Sequence, residues 1–324
     1  MDNIGVVVTS DMWMPQHRLN DIIRARFTIV PARLHVELNE VDNLTRSQFD
    51  PDESYIHPRT VFTRMRDDSN LFPSTSQPND IQYIEAFEKA WESVDNIICL
   101  PLLPKHSASF SRALNVANAL TKQDFDFSNA FDERGYYTGN NPIFTFKKGD
   151  KSITVIDTKT VSAGLGHIVN RVYKSRDMDY LKVAELAAQA GNEVCIQVSI
   201  EDPRYIVKRV GEDIAPLQMQ SMLSSAGKLM QGAFNLASLR LIIHVVDGEI
   251  ERSGFLRGEQ KAMRYMYEKI PDAKYETVIA HTGDEELVQK LEELTGSNLV
   301  TLLDPAVGVY VGPDRVGLIS YPIS

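Results

Sequence analysis

Residues 96–120 read Asn-Ile-Ile-Cys-Leu-Pro-Leu-Leu-Pro-Lys-His-Ser-Ala-Ser-Phe-Ser-Arg-Ala-Leu-Asn-Val-Ala-Asn-Ala-Leu. Asn96 to Leu100 is a short apolar run of the kind a strand shows when both its faces are covered. Phe110, Ala113, Leu114, Ala117 and Leu120 then recur at spacings of three and four, which is one face of a helix. A loop with Ser107 and Ser109 joins the two. Strand, loop and helix in this order form the unit of a mostly parallel sheet with helices packed on it. In such a sheet the loops at the carboxyl ends of the strands gather into one crevice.

The same unit recurs on both sides. Upstream, Ile81, Ile84, Phe87 and Trp91 mark a helix starting at Asp80, and Asn79 and Gln82 have the spacing of a capping box. Ile4–Thr9 reads as a strand and Phe27–Val30 as a second. Residues 39–74 are charged and broken by Pro51, Pro58 and Pro73, and read as surface loop with one short helix near Val61–Arg66. Downstream, a polar, aromatic and glycine-bearing interruption at 121–150 precedes a strand at Ile153–Ile156 and a polar loop at Asp157–Gly166.

After a helix over Met178–Gln189 the pattern changes. Val194, Ile196, Val198 and Ile200 alternate with polar or small residues, as in a half-buried strand. Leu239–Val246 and Glu249–Phe255 flank Asp247-Gly248, the strongest hairpin signal in the chain. A helix over Gly258–Lys269, a strand at Tyr275–Ala280, a helix carrying Leu287, Val288, Leu291 and Leu294, and strands at Ala306–Val311 and Val316–Tyr321 are expected to follow. The fold class is therefore α/β. A Rossmann-like domain with a parallel sheet is expected over residues 1–175, and a second α/β domain with a mixed sheet over 176–324.

Composition narrows the function. The 324 residues are 43% apolar and 24% charged, enough for sizeable cores. A formal charge of -10 opposes a phosphate-backbone footprint, so no nucleic-acid partner is expected. The longest apolar stretches, near Ile97–Leu103 and Leu241–Val246, are too short to cross a bilayer, and the amino terminus carries no secretion signal. No integral membrane association and a cytoplasmic location are expected. Cys99 and Cys195 lie in strand-like runs without close cysteine partners and read as buried small hydrophobes. The seven histidines form no metal-binding spacing, and no nucleotide-binding glycine motif is present, so neither a metal nor an intrinsic cofactor is expected.

Three polar loops carry the chemistry. Thr75, Ser76 and Gln77 precede a helix whose free N-H groups and dipole favour an anion such as a carboxylate. Taken alone, a turn and cap is the simpler reading. Ser107 and Ser109 offer hydroxyls beside Lys105 and His106, and here too helix capping accounts for the serines. No Gly-x-Ser-x-Gly elbow or acidic partner marks Ser107 as a nucleophile, which disfavours a serine hydrolase. The third loop carries Ser162, Gly164 and Gly166.

Together these segments resemble the DegV family of bacterial fatty-acid-binding proteins, which includes the binding subunits that work with a fatty acid kinase. Ser74-Thr-Ser-Gln-Pro-Asn79 resembles the family's Thr-Ser-Gln-Pro-Ser segment, and His106-Ser-Ala-Ser-Phe-Ser-Arg-Ala113 its Leu-Ser-Gly-Thr-Tyr-Gln-Ser-Ala element. Ile156–Gly166 is similar to its Asp-Ser and Gly-x-Gly segment. The resemblance is weaker in the second half. Gly308-Val-Tyr-Val-Gly-Pro-Asp314 resembles Gly-x-His-x-Gly-Pro-Gly, with Tyr310 in place of histidine and Asp314 in place of the last glycine. Residues 18–60 and 121–150 are extra length.

The resemblance implies a DegV-like fold that binds a long-chain fatty acid and has no catalytic residues of its own. It places Thr75 and Ser107, with Ser76, Ser109 and Tyr310, on the ligand carboxylate. Met219, Met222, Leu223, Leu229, Met230, Phe234 and Leu236 are the candidate acyl-chain lining, although a helical apolar stripe is as readily core. Lys228, Arg240 and Arg257 are candidates for contacts to phosphate or to a separate ATP-dependent fatty acid kinase subunit, with surface solvation as their plain alternative. A lipid carrier or sensor without a kinase partner is the rival implication, strengthened by Tyr310 and by the negative charge of Asp314.

Overall fold

The computed structural model describes residues 4–23, 27–30, 33–35, 57–127, 129–133, 135–206, 238–271 and 274–323. In chain order its elements are β1 (Ile4–Thr9), α1 (Gln16–Ile23), β2 (Phe27–Val30), β3 (Arg33–His35), α2 (Pro58–Asp67), β4 (Ser74–Ser76) and α3 (Asp80–Trp91). Next come β5 (Asn96–Leu100), α4 (Ser109–Thr121), β6 (Ile143–Lys148), β7 (Lys151–Ile156), α5 (Ala163–Ser175), α6 (Tyr180–Asn192) and β8 (Cys195–Ile200). The remainder are β9 (Leu239–Val246), β10 (Glu249–Arg257), α7 (Glu259–Glu268), β11 (Tyr275–His281), α8 (Glu285–Thr295), β12 (Val300–Leu302), α9 (Pro305–Val311) and β13 (Val316–Pro322).

The first sheet has the order β2-β1-β5-β7-β6. Four strands are parallel and only the edge strand β6 runs against its neighbour. Because successive strand residues face opposite sides, Val7, Ile97, Cys99 and Val155 pack under α3 and α4, while Val6, Val8, Ile98 and Leu100 pack under α5 and α6. Both faces of the sheet are covered, as its unbroken apolar strands require. The 121–150 interruption contains β6 and an aromatic cluster in which Phe127, Phe131, Tyr137, Phe144 and Phe146 close one end of this core.

The second sheet has the order β10-β9-β8-β13-β11-β12 and is antiparallel except for the β11–β12 pair. Helices α7 and α8 cover one face through Met263, Met266, Leu287 and Leu291. The other face is covered by α9 and by α2, whose Val61, Phe62 and Met65 join Ile196, Ala280, Val309 and Ile319. Two α/β units with mixed sheets are thus present, but the chain does not divide cleanly between them. Helix α6 packs on the first sheet, so that core extends beyond 175, where the sequence division falls. Helix α2, on the amino-terminal side of that division, packs on the second sheet.

Two readings of single elements are corrected. Ala306–Val311 was expected to be a strand and is the helix α9. Its run of β-branched residues favours a strand locally. The helix wins because Asp304 caps it, accepting the Ala306 N-H at 2.8 Å, and Pro305 occupies its first turn. Gly308 lets α9 lie against α2, since a Cβ there would collide with the Phe62 ring. The polar stretch after β1 was given no element and contains α1.

Candidate functional site

The loops after β1 and β5, the β4–α3 segment and one face of the second sheet enclose a cavity of about 200 Å³. One part of its wall is polar, made by Thr9, Asp11, Thr75, Ser76, Gln77, His106, Ser107 and Ser109. The rest is largely apolar. Ile196 and Val198 of β8, Ile243 and Val245 of β9, Ile250 of β10 and Val307 of α9 contribute to it.

Local structure places the hydroxyls. Asn79 and Gln82 form the capping box expected from their spacing, with Asn79 Oδ1 accepting the Gln82 N-H at 2.9 Å and Gln82 Oε1 accepting the Asn79 N-H at 2.8 Å. Helix α3 is therefore fixed directly after Thr75-Ser76-Gln77. Strand β4, which carries Thr75, pairs with β3 in a separate two-stranded ribbon. Thr75 Oγ1 and Tyr310 Oη are 3.1 Å apart, so this hydroxyl pair joins the ribbon to α9. On the other loop, Ser107 Oγ donates to Ser109 Oγ at 2.9 Å and accepts the Ser109 N-H at 3.2 Å. Gly166 brings α5 against the loop after β1, where a side chain would collide with the Trp13 carbonyl oxygen.

Charged groups sit around the cavity rather than in it. The tip of the β9–β10 hairpin reaches the loops of the first sheet, where Lys105 pairs with Glu249 at 2.9 Å and Lys159 pairs with Asp247. His106 Nε2 accepts the Ile250 N-H at 3.2 Å. That nitrogen is thus engaged by backbone, and it does not act as a base toward Ser107. Among the described lining residues there is no lysine or arginine. Asp11 is the one acidic side chain there, and burial raises its pKa.

The structure brings Thr75, Ser76, Ser107, Ser109 and Tyr310 to the same cavity. Met219, Met222, Leu223, Leu229, Met230, Phe234 and Leu236, together with Lys228, lie outside the described residues. Arg240 does not line the cavity. It is committed to Glu259 at 2.5 Å and Glu201 at 3.3 Å in a network that also holds Arg315. Arg257 is exposed at the end of β10. Asp314 adopts φ +55°, a backbone that glycine takes without cost, and directs its carboxylate to Arg66 at 3.4 Å. It is not among the described residues of the cavity wall.

Sequence reasoning missed Thr9, Asp11 and the apolar wall. Thr9 ends the first strand and Asp11 follows it, and the crevice rule that singled out the later loops applies to this one too. Ile196 and Val198 lie on the apolar face of a strand whose alternation was clear, but alternation alone does not distinguish a core face from a cavity wall. Among the described residues there is no cluster of three or more His, Cys, Asp or Glu able to hold a metal, and no helix is long and apolar enough to cross a membrane.

Comparison with known proteins gives a consistent result. A family model described as "Uncharacterised protein, DegV family" matches residues 32–322. A DegV domain-containing protein of Clostridium acetobutylicum is 22% identical over 326 aligned residues, covering 98% of each chain. A solved structure described as a fatty acid binding DegV family protein from Streptococcus agalactiae superposes with a TM-score of 0.72 at 14% identity, covering 100% of both chains. A stearic acid-binding protein from Eubacterium ventriosum gives a TM-score of 0.67 at 17% identity, covering 99% of this chain and 98% of the other. At these identities the structural likeness is one of fold.

Proposed function

The chain belongs to the DegV family, and from that premise we propose that it binds one long-chain fatty acid in the cavity between its two sheets and presents the carboxylate to a separate ATP-dependent fatty acid kinase subunit. The observation that carries the binding is the division of one cavity into a hydroxyl-bearing part and an apolar part. Fatty-acid binding by structurally similar family members supports the choice of ligand.

The two parts have different tasks. Taking the acyl chain out of water supplies most of the affinity, roughly 0.8 kcal/mol per buried methylene before the losses of immobilisation. The hydroxyls supply position and selectivity, because a desolvated carboxylate needs donors where an alcohol or hydrocarbon does not. Thr75 and Ser107 are the proposed principal donors, with Ser76, Ser109 and Tyr310 beside them. To donate, the Ser107 hydroxyl turns away from Ser109, and Thr75 or Tyr310 rotates out of their mutual bond. The acyl chain follows Ile196, Val198, Ile243 and Val245, with the 219–236 residues remaining candidates for its far end.

Native mass spectrometry of the full chain after incubation with stearate or oleate tests the binding. One added fatty-acid mass per chain is the expected result, and no retained lipid at any concentration would exclude this function. Incubated with ATP and fatty acid, the chain alone should give no acyl phosphate, whereas addition of the kinase subunit should give acyl phosphate and ADP. Formation by the chain alone would overturn the division of labour. A carrier or sensor without a kinase is the second reading. It is favoured by Arg240, whose charge is already matched by Glu259 and Glu201 and is not free for phosphate. Binding without acyl phosphate formation in the presence of the kinase would select it.

A further inference from the structure

Asp11 stands where two cavities meet. It lines the cavity described above, and also a second, more polar one of about 180 Å³ lined by Ser10, Met12, Trp13, His57, Pro58, Val300, Thr301, Leu302 and Asp304. Its carboxyl group is buried. Oδ2 accepts the Ser162 N-H at 3.3 Å and the Thr9 hydroxyl two residues earlier lies near enough to favour the carboxylate, but Oδ1 makes no well-formed hydrogen bond. Around it stand Asp304 at the cap of α9, His57 at the cap of α2, His106 in the loop after β5, Tyr83 of α3 and Tyr310 of α9. No lysine or arginine is among the described residues of either cavity wall.

A buried carboxylate with one oxygen lacking a well-formed hydrogen bond and no lysine or arginine on the described walls beside it is costly, and a second negative charge in the same cavity adds to that cost. Protonation removes both difficulties. It converts Asp11 from an acceptor-only group into a donor on the same wall as Thr75 and Ser107. Tyr83, buried on α3, lies within electrostatic reach of Asp11 and beside the Ser109 hydroxyl.

We propose that Asp11 is a specificity-determining residue which, in its protonated form, donates a hydrogen bond to the carboxylate of the bound fatty acid, so that ligand uptake is coupled to uptake of one proton from solvent. This rests on the fatty-acid reading of the cavity. Burial raises the Asp11 pKa in the free protein, and an anionic ligand beside it raises it further. Between those two values the free protein is ionised at Asp11 and the complex is not. Binding in that window takes up a proton, and affinity falls by up to about tenfold per pH unit as pH rises. Below the window Asp11 is already protonated and contributes no pH dependence.

Calorimetric titration of the full chain with oleate, below its aggregation limit, at pH 5 to 9 in two buffers of different ionisation enthalpy counts the protons. Wild type should take up close to one proton per oleate within the window, and affinity should weaken with pH there. In Asp11→Asn the amide still donates, so binding should persist while the uptake and the pH slope disappear. Asp304→Asn and His57→Gln should retain the uptake. No uptake by wild type across the range, uptake persisting in Asp11→Asn, or uptake lost only in Asp304→Asn or His57→Gln would each overturn the proposal. Failure of any fatty acid to bind would instead sink the functional reading on which it rests.

Discussion

The polar and apolar parts of the cavity are built by different means. The polar part comes from three short segments that each carry a local restraint, the Asn79–Gln82 capping box, the Ser107–Ser109 hydroxyl bond and the Met12 N-H to Thr9 carbonyl turn after β1, before longer-range bonds tie them together. The apolar part comes from strands and a helix whose faces are set by partners far away in sequence, such as β8 between β9 and β13. Changes at the polar part should therefore alter ligand preference with little effect on the fold. Changes at the apolar part should alter affinity and, where the same residues close the core, stability.

The largest effect is expected where the chain of the ligand must lie. Val245 lines the cavity but is only half-buried, so Val245→Glu should leave the protein folded. An unpaired carboxylate against the acyl chain costs more than the burial of several methylenes returns. Fatty-acid binding should become undetectable by native mass spectrometry, with the far-UV circular dichroism spectrum unchanged. Retention of ligand would place the acyl chain away from β9 and break the comparison at its apolar side.

A smaller loss is expected at the polar part. The double variant Thr75→Ala and Ser107→Ala removes two donors to a charged group, each worth about 1.5–3 kcal/mol, so affinity should fall by about 100-fold or more. Affinity for the corresponding fatty alcohol should change far less, which a competition titration reads directly. Equal losses for acid and alcohol would mean that these hydroxyls do not discriminate. Tyr310→Phe should have a milder effect of one sign or the other. It deletes a potential donor, but it also frees Thr75 Oγ1, now 3.1 Å from the tyrosine hydroxyl, to face the ligand.

The same contrast explains what the sequence revealed. Capping boxes, Asp-Gly hairpins and apolar strand runs are local signals. Accordingly α3, the β9–β10 turn and the four parallel strands of the first sheet were legible, as was the division into two α/β units, whereas the antiparallel edge strand β6 lay inside a stretch read as a polar interruption. The strand-end crevice brought Ser107 toward the Thr75 segment, but the place of Tyr310 beside them followed only from the family resemblance, because nothing local joins α9 to β4 and the loop after β5. Ala306–Val311 misled because its β-branched residues favour a strand and the Asp304-Pro305 helix start signal was not weighed against them. Helix α2 was found, but its place on the second sheet depends on Phe62 meeting Gly308 and on Val61 and Met65 joining a core more than a hundred residues away. The Asp11 loop was overlooked because Ser-Asp-Met-Trp carries no motif, and its importance appears only once burial is known.

The β9–β10 hairpin is where the two parts are held together, and it gives the smallest expected effect. Ile250 contributes to the apolar wall while its N-H is held by His106, and the flanking Glu249 and Asp247 pair with Lys105 and Lys159 of the first unit's loops. Glu249 and Asp247 are substantially exposed, so each pair is worth only about 0.2–1 kcal/mol and is weakened by salt. Lys105→Ala should therefore speed fatty-acid dissociation by only about two- to fivefold. Stopped-flow dissociation at low and high ionic strength should show the wild-type rate rising toward that of the variant as salt is added. If the variant and wild type release ligand at the same rate even at low salt, the hairpin does not restrain the cavity, and exit must run past other elements. A loss of several orders of magnitude would instead mean that Lys105 touches the ligand itself, which would move a cation into the polar wall and remove the reason for a protonated Asp11.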